Sequence, residues 1–480
     1  MKLLTAICVC ATWAWTPTQA IAQQPSGREA IETMRFADLS FDPPVPDEYS
    51  IDGVLVLILE DGTLPLTSVY ARFRGGYGLF GREYYAVGTA MPSLLRYGGT
   101  SSMAPDSVDG LLEYYAIQTS FGGAGAAVSS TMNTLSEHLP AALELWGSLL
   151  VDPAFDENEI EVWRGRQLES IRRRSDDPGR LAFSEYNRLL YGDHPVGWEM
   201  EDADLSPTLV DQSRFHELHA RIACRENLVL GVSGDTDWPT VQPLLASLVD
   251  RVPACPDSLP ASPVPDIRRE PGVFLIEKET EQSVIVMAHT TGVHLADEPA
   301  YFAATIANSI LGAGGFSSRI MARVRTEEGY AYSASSLWTM PRRYDGLLGA
   351  VTRTRPENTA PAIALILETM QELRDAPPES EEVETAVDQV VNGFVFNFET
   401  AGQIVSRTMF YLAEDLPQDW LERYVEGVQG VNANSVHNAF ASHLRPEDMM
   451  ILIVGDSERI GLDALREFGP VTPLEIGESR

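Results

Sequence analysis

At 480 residues and 44% apolar, the chain has material for two sizeable cores and too much for one ordinary domain. Its 69 acidic against 35 basic residues leave a formal charge of −34, which excludes nucleic acid as a partner because phosphate binding needs a basic face. Beyond the N-terminal stretch no apolar run is long enough to span a bilayer.

Met1-Lys2, an apolar run to Trp15 and the small-x-small site Ala20-Ile21-Ala22 predict a secretory signal peptide over 1–22, cleaved after Ala22. The mature protein is therefore expected to be exported to the periplasm, with no membrane span. Cys224 and Cys255 remain after cleavage; an oxidising compartment lets them pair, and they fit equally well as reduced, buried small side chains, since neither has a metal-binding spacing.

Residues 23–49, polar and proline-bearing, read as an N-terminal arm. Residues 54–59 (VLVLIL) read as a buried strand closed by the turn Glu60-Asp61-Gly62-Thr63, and the alternation over 68–74 places a second strand beside it. Leu139, Leu143, Trp146 and Leu150 step along one helical face that Pro153 ends, and Glu157 opens a second, charged helix to about Arg174. Residues 191–199 are a loop, 209–223 helical, and 227–232 a strand ending in Ser233-Gly234-Asp235. The plan then repeats. Strands at 273–276 and 283–287 pair, a helix carrying Ile363, Ile366, Met370 and Leu373 stops at Pro377-Pro378, another begins at Glu381, and the strand 450–454 ends in Gly455-Asp456. Asp235 and Asp456 stand 221 residues apart, a period that means duplicated domains, not stacked small repeats. Between the halves, residues 252–272 hold six prolines and form an extended linker. The expected fold is α+β: two homologous α/β-sandwich halves, 50–251 and 273–470, joined by a Pro-rich linker.

The stretch with the most chemistry is Leu311-Gly312-Ala313-Gly314-Gly315-Phe316-Ser317-Ser318-Arg319, running on to Arg325-Thr326-Glu327-Glu328-Gly329-Tyr330-Ala331-Tyr332. A glycine-rich loop opens a helix, and Arg325 precedes Tyr332 by seven residues across a glycine that ends the helix, so the two side chains converge. A guanidinium fork and a phenol are both donors suited to a carbonyl oxygen that becomes an oxyanion.

This stretch resembles the C-terminal-half signature of the pitrilysin/insulinase-type (M16) peptidases, G-G-G-x-x-S-R-L followed by R-E-x-x-G-x-x-Y-S. Gly314, Gly315, Ser318, Arg319, Arg325, Gly329, Tyr332 and Ser333 fall on that pattern; Ala313, Ile320 and Thr326 depart from it. The resemblance implies a clamshell fold that encloses a peptide, Arg325 and Tyr332 as catalytic residues, and Gly314 and Gly315 against the substrate. It also implies a zinc motif, H-x-x-E-H, on the first half. The matching stretch here, anchored by Tyr97, Gly99 and Thr100, puts Ala90 and Leu94 at the histidines and Ser93 at the glutamate. None of the three can do that work, and Pro92 lies inside the same turn. Glu169, near where a further zinc ligand belongs, reads as an exposed helix carboxylate beside Arg172 and Arg173. His216-Glu217-Leu218-His219 lacks the order and third ligand of a zinc site. There is no G-x-S-x-G elbow, and Gly122-Gly123-Ala124-Gly125 reads as a plain turn.

The resemblance therefore implies no metal on this chain and zinc on a partner: a homologous M16 subunit bearing H-x-x-E-H, with this chain supplying Arg325 and Tyr332 to the peptide substrate. A catalytically silent structural or peptide-binding relative is the alternative.

Overall fold

The computed structural model describes residues 43–123, 125–267 and 270–476; the expected signal, 1–22, and residues 23–42 of the arm lie outside them. Described elements of the first half are β1 (Asp47–Ile51), β2 (Val54–Glu60), β3 (Leu66–Arg74), α1 (Tyr85–Tyr97), α2 (Pro105–Tyr114), β4 (Gln118–Gly123), β5 (Ala127–Leu135), α3 (Leu139–Val151), α4 (Glu157–Arg172), α5 (Pro178–Tyr191), α6 (Gln212–Ile222), β6 (Leu228–Gly234) and α7 (Trp238–Arg251). The second half runs through β7 (Gly272–Glu277), β8 (Ser283–Thr291), α8 (Pro299–Asn308), α9 (Arg319–Met321), β9 (Ala331–Trp338), β10 (Gly346–Thr354), α10 (Thr359–Asp375), α11 (Ser380–Val395), α12 (Ala401–Ala413), α13 (Trp420–Gln429), α14 (Ala433–His443), β11 (Met450–Gly455) and β12 (Val471–Leu474).

Two six-stranded mixed sheets form, ordered β1-β2-β6-β3-β5-β4 and β12-β7-β11-β8-β10-β9. The fold is thus two homologous α/β halves, as the repeat predicts. One expectation fails: β2 and β3 are not neighbours, nor are β7 and β8. β6 inserts between the first pair, parallel to β2 and antiparallel to β3, and β11 inserts likewise in the second. These strands are apolar on both faces, and such a strand is satisfied only in the middle of a covered sheet. The equivalent outer edge is filled from opposite ends of the chain, by β1 antiparallel to β2 and by β12 parallel to β7.

One face of the first sheet packs on its own helices. Val54, Val56, Ile58, Val69, Phe73, Met132, Leu230 and Val232 meet Met91, Leu94, Trp146, Phe215, Leu218 and Leu245 in one core. The other face takes a helix from the other half: Val405, Met409 and Leu412 of α12 lie on Leu55, Leu57, Leu59 and Val229. Gly231 makes this approach possible, because a Cβ there would come within 2.5 Å of Val405 and 2.7 Å of Met409. The exchange is reciprocal. Leu181, Ala182, Tyr186 and Leu190 of α5, in the first half, cover Phe274, Ile276, Val284, Val286, Leu452 and Val454 of the second sheet. The Tyr186 hydroxyl anchors that helix by donating to the Ala288 carbonyl at 2.7 Å. Both exchanged helices begin on side-chain caps, Asp177 for α5 and a Thr400/Gln403 capping box for α12.

Cys224 and Cys255 form a disulfide that ties the end of α6 to the segment after α7. No described helix is long and apolar enough to cross a membrane.

Candidate functional site

The glycine-rich stretch is the continuation of α8, which widens into π turns over Ser309–Ala313 and then tightens into a 3-10 turn, Gly315–Ser317. Each glycine has a steric reason. A Cβ on Gly312 would sit 2.2 Å from the Ser336 nitrogen of β9, one on Gly314 would sit 2.6 Å from the Ser309 carbonyl oxygen, and Gly315 holds a left-handed φ of +70°. The loop is then pinned by hydrogen bonds. The Gly314 carbonyl accepts from Ser317 Oγ and from Gln389 Nε2 of α11, both at 3.1 Å, and Ser318 Oγ donates to the Gly315 carbonyl at 2.6 Å.

Three arginines follow within seven residues, over α9 and the π turns Ala322–Glu327 that continue it. Arg319 grips Glu382 of α11 with two hydrogen bonds of 2.8 and 2.7 Å, and this pairing raises its pKa further. Arg323 lies between Glu372 at 3.0 Å and Glu368 at 3.3 Å on α10. Both are fasteners. Arg325 is different: among the described residues it has no carboxylate and no hydrogen-bond acceptor. Its guanidinium carbon lies 4.7 Å from the ring centroid of Phe316 and 4.6 Å from that of Tyr332, within cation–π range of both.

The predicted convergence of Arg325 and Tyr332 is made by the end of the helical segment. Gly329 takes a φ of +64°, the Tyr330 N–H reaches back to the Val324 carbonyl at 2.8 Å, and the chain reverses directly into β9. Thr354 Oγ1 of β10 holds the Tyr330 carbonyl at 2.6 Å. Tyr332 then projects from an edge strand of the second sheet, 77% exposed, and its hydroxyl has no partner among the described residues. The arrangement offers the N–H groups of one guanidinium and one phenol to a ligand, on a mount stiffened by hydrogen bonds it does not share.

The zinc-motif positions lie on α1, which continues through Pro92 and abuts the other edge strand: a Cβ on Gly123 of β4 would fall 2.9 Å from Pro92 Cγ. Ala90 is fully buried and Leu94 is 1% exposed; both are core residues of the first half, and Ser93 is half-buried. These residues do not fit zinc: two are hydrocarbon and the third is a neutral hydroxyl. Glu169 is a half-buried carboxylate rather than the exposed one expected, and it lies 2.6 Å from Arg173 and 3.7 Å from Arg172. His219 is buried with Nε2 2.8 Å from the Leu150 carbonyl, and burial pushes its imidazole down to about 4; His216 sets its ring edge against Phe155. Among the described residues the one grouping of potential metal ligands is Cys224, Glu226 and Cys255, where both sulfurs are spent on the disulfide and the Glu226 carboxylate accepts from the Cys255 N–H. Sequence reading missed Phe316. Its signal was an aromatic residue directly after Gly-Gly in a surface loop.

Residues 210–390, from α6 to α11, match a family model described as the peptidase M16 inactive domain. Among curated proteins the chain is similar to the non-peptidase homolog YmxG of Helicobacter pylori, at 20% identity over 85% of this chain and 93% of that protein. It is also similar to an uncharacterized zinc protease of Streptomyces coelicolor, at 24% identity over 57% of this chain, and spans 60% of that relative's length. A solved peptidase M16 inactive domain from Pseudomonas fluorescens shares the fold at a TM-score of 0.76 and 22% identity, covering 86% of this chain and 98% of that one. The periplasmic protease PqqL from Escherichia coli shares it at 0.73 and 12% identity, covering 88% of this chain and 48% of that one. Residues 210–390 thus match the M16 inactive domain, and over most of its length the chain resembles M16 proteins in sequence and in fold.

Proposed function

We propose that this chain is the non-zinc subunit of an exported, heterodimeric M16-type metallopeptidase. Its partner is a homologous subunit carrying H-x-x-E-H, and this chain presents Arg325 and Tyr332 to the scissile peptide bond. The observation that carries the reading is the contrast among three neighbouring arginines: Arg319 and Arg323 are consumed by Glu382, Glu368 and Glu372, while among the described residues Arg325 has no acceptor and the Tyr332 hydroxyl beside it has no partner. Bracing of the Gly314-Gly315 loop is already supplied by Gln389, Ser317 and Ser318, so Arg325 and Tyr332 are not needed for it. Donors placed in advance where charge develops on a carbonyl oxygen stabilise the transition state more than the ground state.

The second reading, a catalytically silent structural or peptide-binding relative, draws on the core packing of Ala90 and Leu94 and on the name of the Helicobacter relative. Co-expression with a zinc-bearing homologue separates the two. The proposal expects a 1:1 complex that survives size-exclusion chromatography, whose turnover falls on the order of 10²-fold in Tyr332→Phe with the melting temperature and zinc content unchanged. Turnover equal to the parent's in both Tyr332→Phe and Arg325→Ala removes the catalytic assignment and leaves the silent relative.

A further inference from the structure

We infer that Phe316 is a positioning residue for Arg325, and that the glycine-rich loop exists to hold its ring there; the inference rests on the reading of Arg325 and Tyr332 given above. Phe316 is 71% exposed, so no core explains a phenylalanine at this place. Its backbone is nevertheless tightly fixed, preceded by left-handed Gly315 and flanked by the hydrogen bonds to the Gly314 and Gly315 carbonyls. The rigid loop thus delivers an exposed ring to 4.7 Å from the Arg325 guanidinium, on which Tyr332 lies at 4.6 Å.

An arginine without an ion pair has a long side chain and many rotamers, and a donor that wanders stabilises nothing in advance. Two aromatic neighbours within cation–π range restrict it and leave the N–H groups at the rim of its plane as the surface for a ligand oxygen. Tyr332 then acts twice, its ring as one restraint and its hydroxyl as a second donor. Phe316 supplies the other restraint and touches no reacting atom. Its counterpart in the pinning network, Gln389, holds the loop and not the arginine.

The test uses the full chain in two measurements. In the first, selectively 15N-arginine-labelled protein is observed by NMR, with the Arg325 Nε–Hε resonance assigned by its loss in Arg325→Lys. Phe316→Leu is expected to move that resonance toward the position of a free arginine, Phe316→Tyr is expected to restore it, and the melting temperature is expected to stay within about a degree because the ring is exposed. In the second, the complex with the zinc-bearing homologue is assayed on an internally quenched fluorogenic peptide. Phe316→Leu is expected to lower kcat about threefold to tenfold with KM little changed, and Phe316→Tyr to recover it. An Arg325 resonance that ignores Phe316→Leu overturns the inference, as does a parental kcat in Phe316→Leu when Arg325→Ala abolishes turnover. If Arg325→Ala itself leaves turnover intact, the catalytic reading of the pair falls, and the NMR result alone decides whether Phe316 holds the guanidinium.

Discussion

The two sheets share strand order, and each borrows a helix from the other half, yet their inner faces have opposite chemistry. On β3 and β5 of the first sheet that face carries Ser68, Tyr70 and Arg72 opposite Asn133, Thr131 and Ser129. At the corresponding register of the second sheet, β8 and β10 place Val284, Val286 and Ala288 opposite Arg353, Val351 and Gly349. The second sheet is sealed by α5, and the Arg353 guanidinium closes its end against Asp177 at 3.6 Å. In the first, α12 lies over β2, β6 and Tyr70 of β3, leaving a cavity of about 830 Å³ whose lining includes Ser68, Tyr70, Asn133, Ser233 and Arg407. Arg72 stands on that face with its Nε unpartnered among the described residues and its pKa lowered by burial, against the pull of Glu414. The half that carries Arg325 and Tyr332 has the covered, apolar face. The half that carries Ala90, Ser93 and Leu94 has a floor open to solvent and lined by Ser68, Tyr70 and Asn133.

Installing a zinc motif in the first half should show this contrast most strongly. Ala90→His, Ser93→Glu and Leu94→His together are expected to destabilise the chain by roughly 4 kcal/mol, because imidazoles are forced into filled core and left unpaired. Urea denaturation and metal analysis check this; a stable variant holding one tight zinc per chain would show that the motif is poised, not lost. A smaller effect separates the halves by pH. The 221-residue offset puts buried Phe440 where the first half buries His219. His219 is held neutral when folded, with a pKa of about 4, and is ordinary when unfolded, so the unfolded chain binds the extra proton. Its stability contribution is therefore full above pH 6.5 and is lost as pH falls toward 4, by roughly 3 kcal/mol. A chemical-denaturation series over that window should lose this slope in His219→Gln and keep it in Phe440→Leu. The mildest test exchanges one matched pair. Val284→Ser, in the sealed sheet, is expected to cost about 2 kcal/mol, and Ser68→Val, on the open floor, to stay within about 0.5 kcal/mol. Equal costs would mean that the two faces are equally packed.

The duplication and the convergence of Arg325 with Tyr332 were legible because both rest on short-range rules. Gly234-Asp235 and Gly455-Asp456 mark strand ends wherever they occur, and a seven-residue spacing across Gly329 reverses the chain whatever surrounds it. The insertion of β6 and β11 was not legible, since a doubly apolar run announces burial without naming its neighbours. α5 and α12 also escaped: their apolar faces are answered by strands in the other half, so nothing adjacent in sequence explains them. Phe316 escaped for a related reason. An exposed phenylalanine acquires meaning only when the guanidinium nine residues later is seen lying over it.

The helix exchange also sets an order of events during synthesis. β2 and β6 are complete once Gly234 has been made, but the side chains that cover Leu55, Leu57 and Leu59 belong to α12, which begins at Ala401. The N-terminal half therefore emerges with a row of leucines uncovered and cannot reach its final state until almost the whole chain is present. A polypeptide cut within the linker would carry that greasy strip permanently, and its fate would be aggregation or a chaperone, not a free-standing domain.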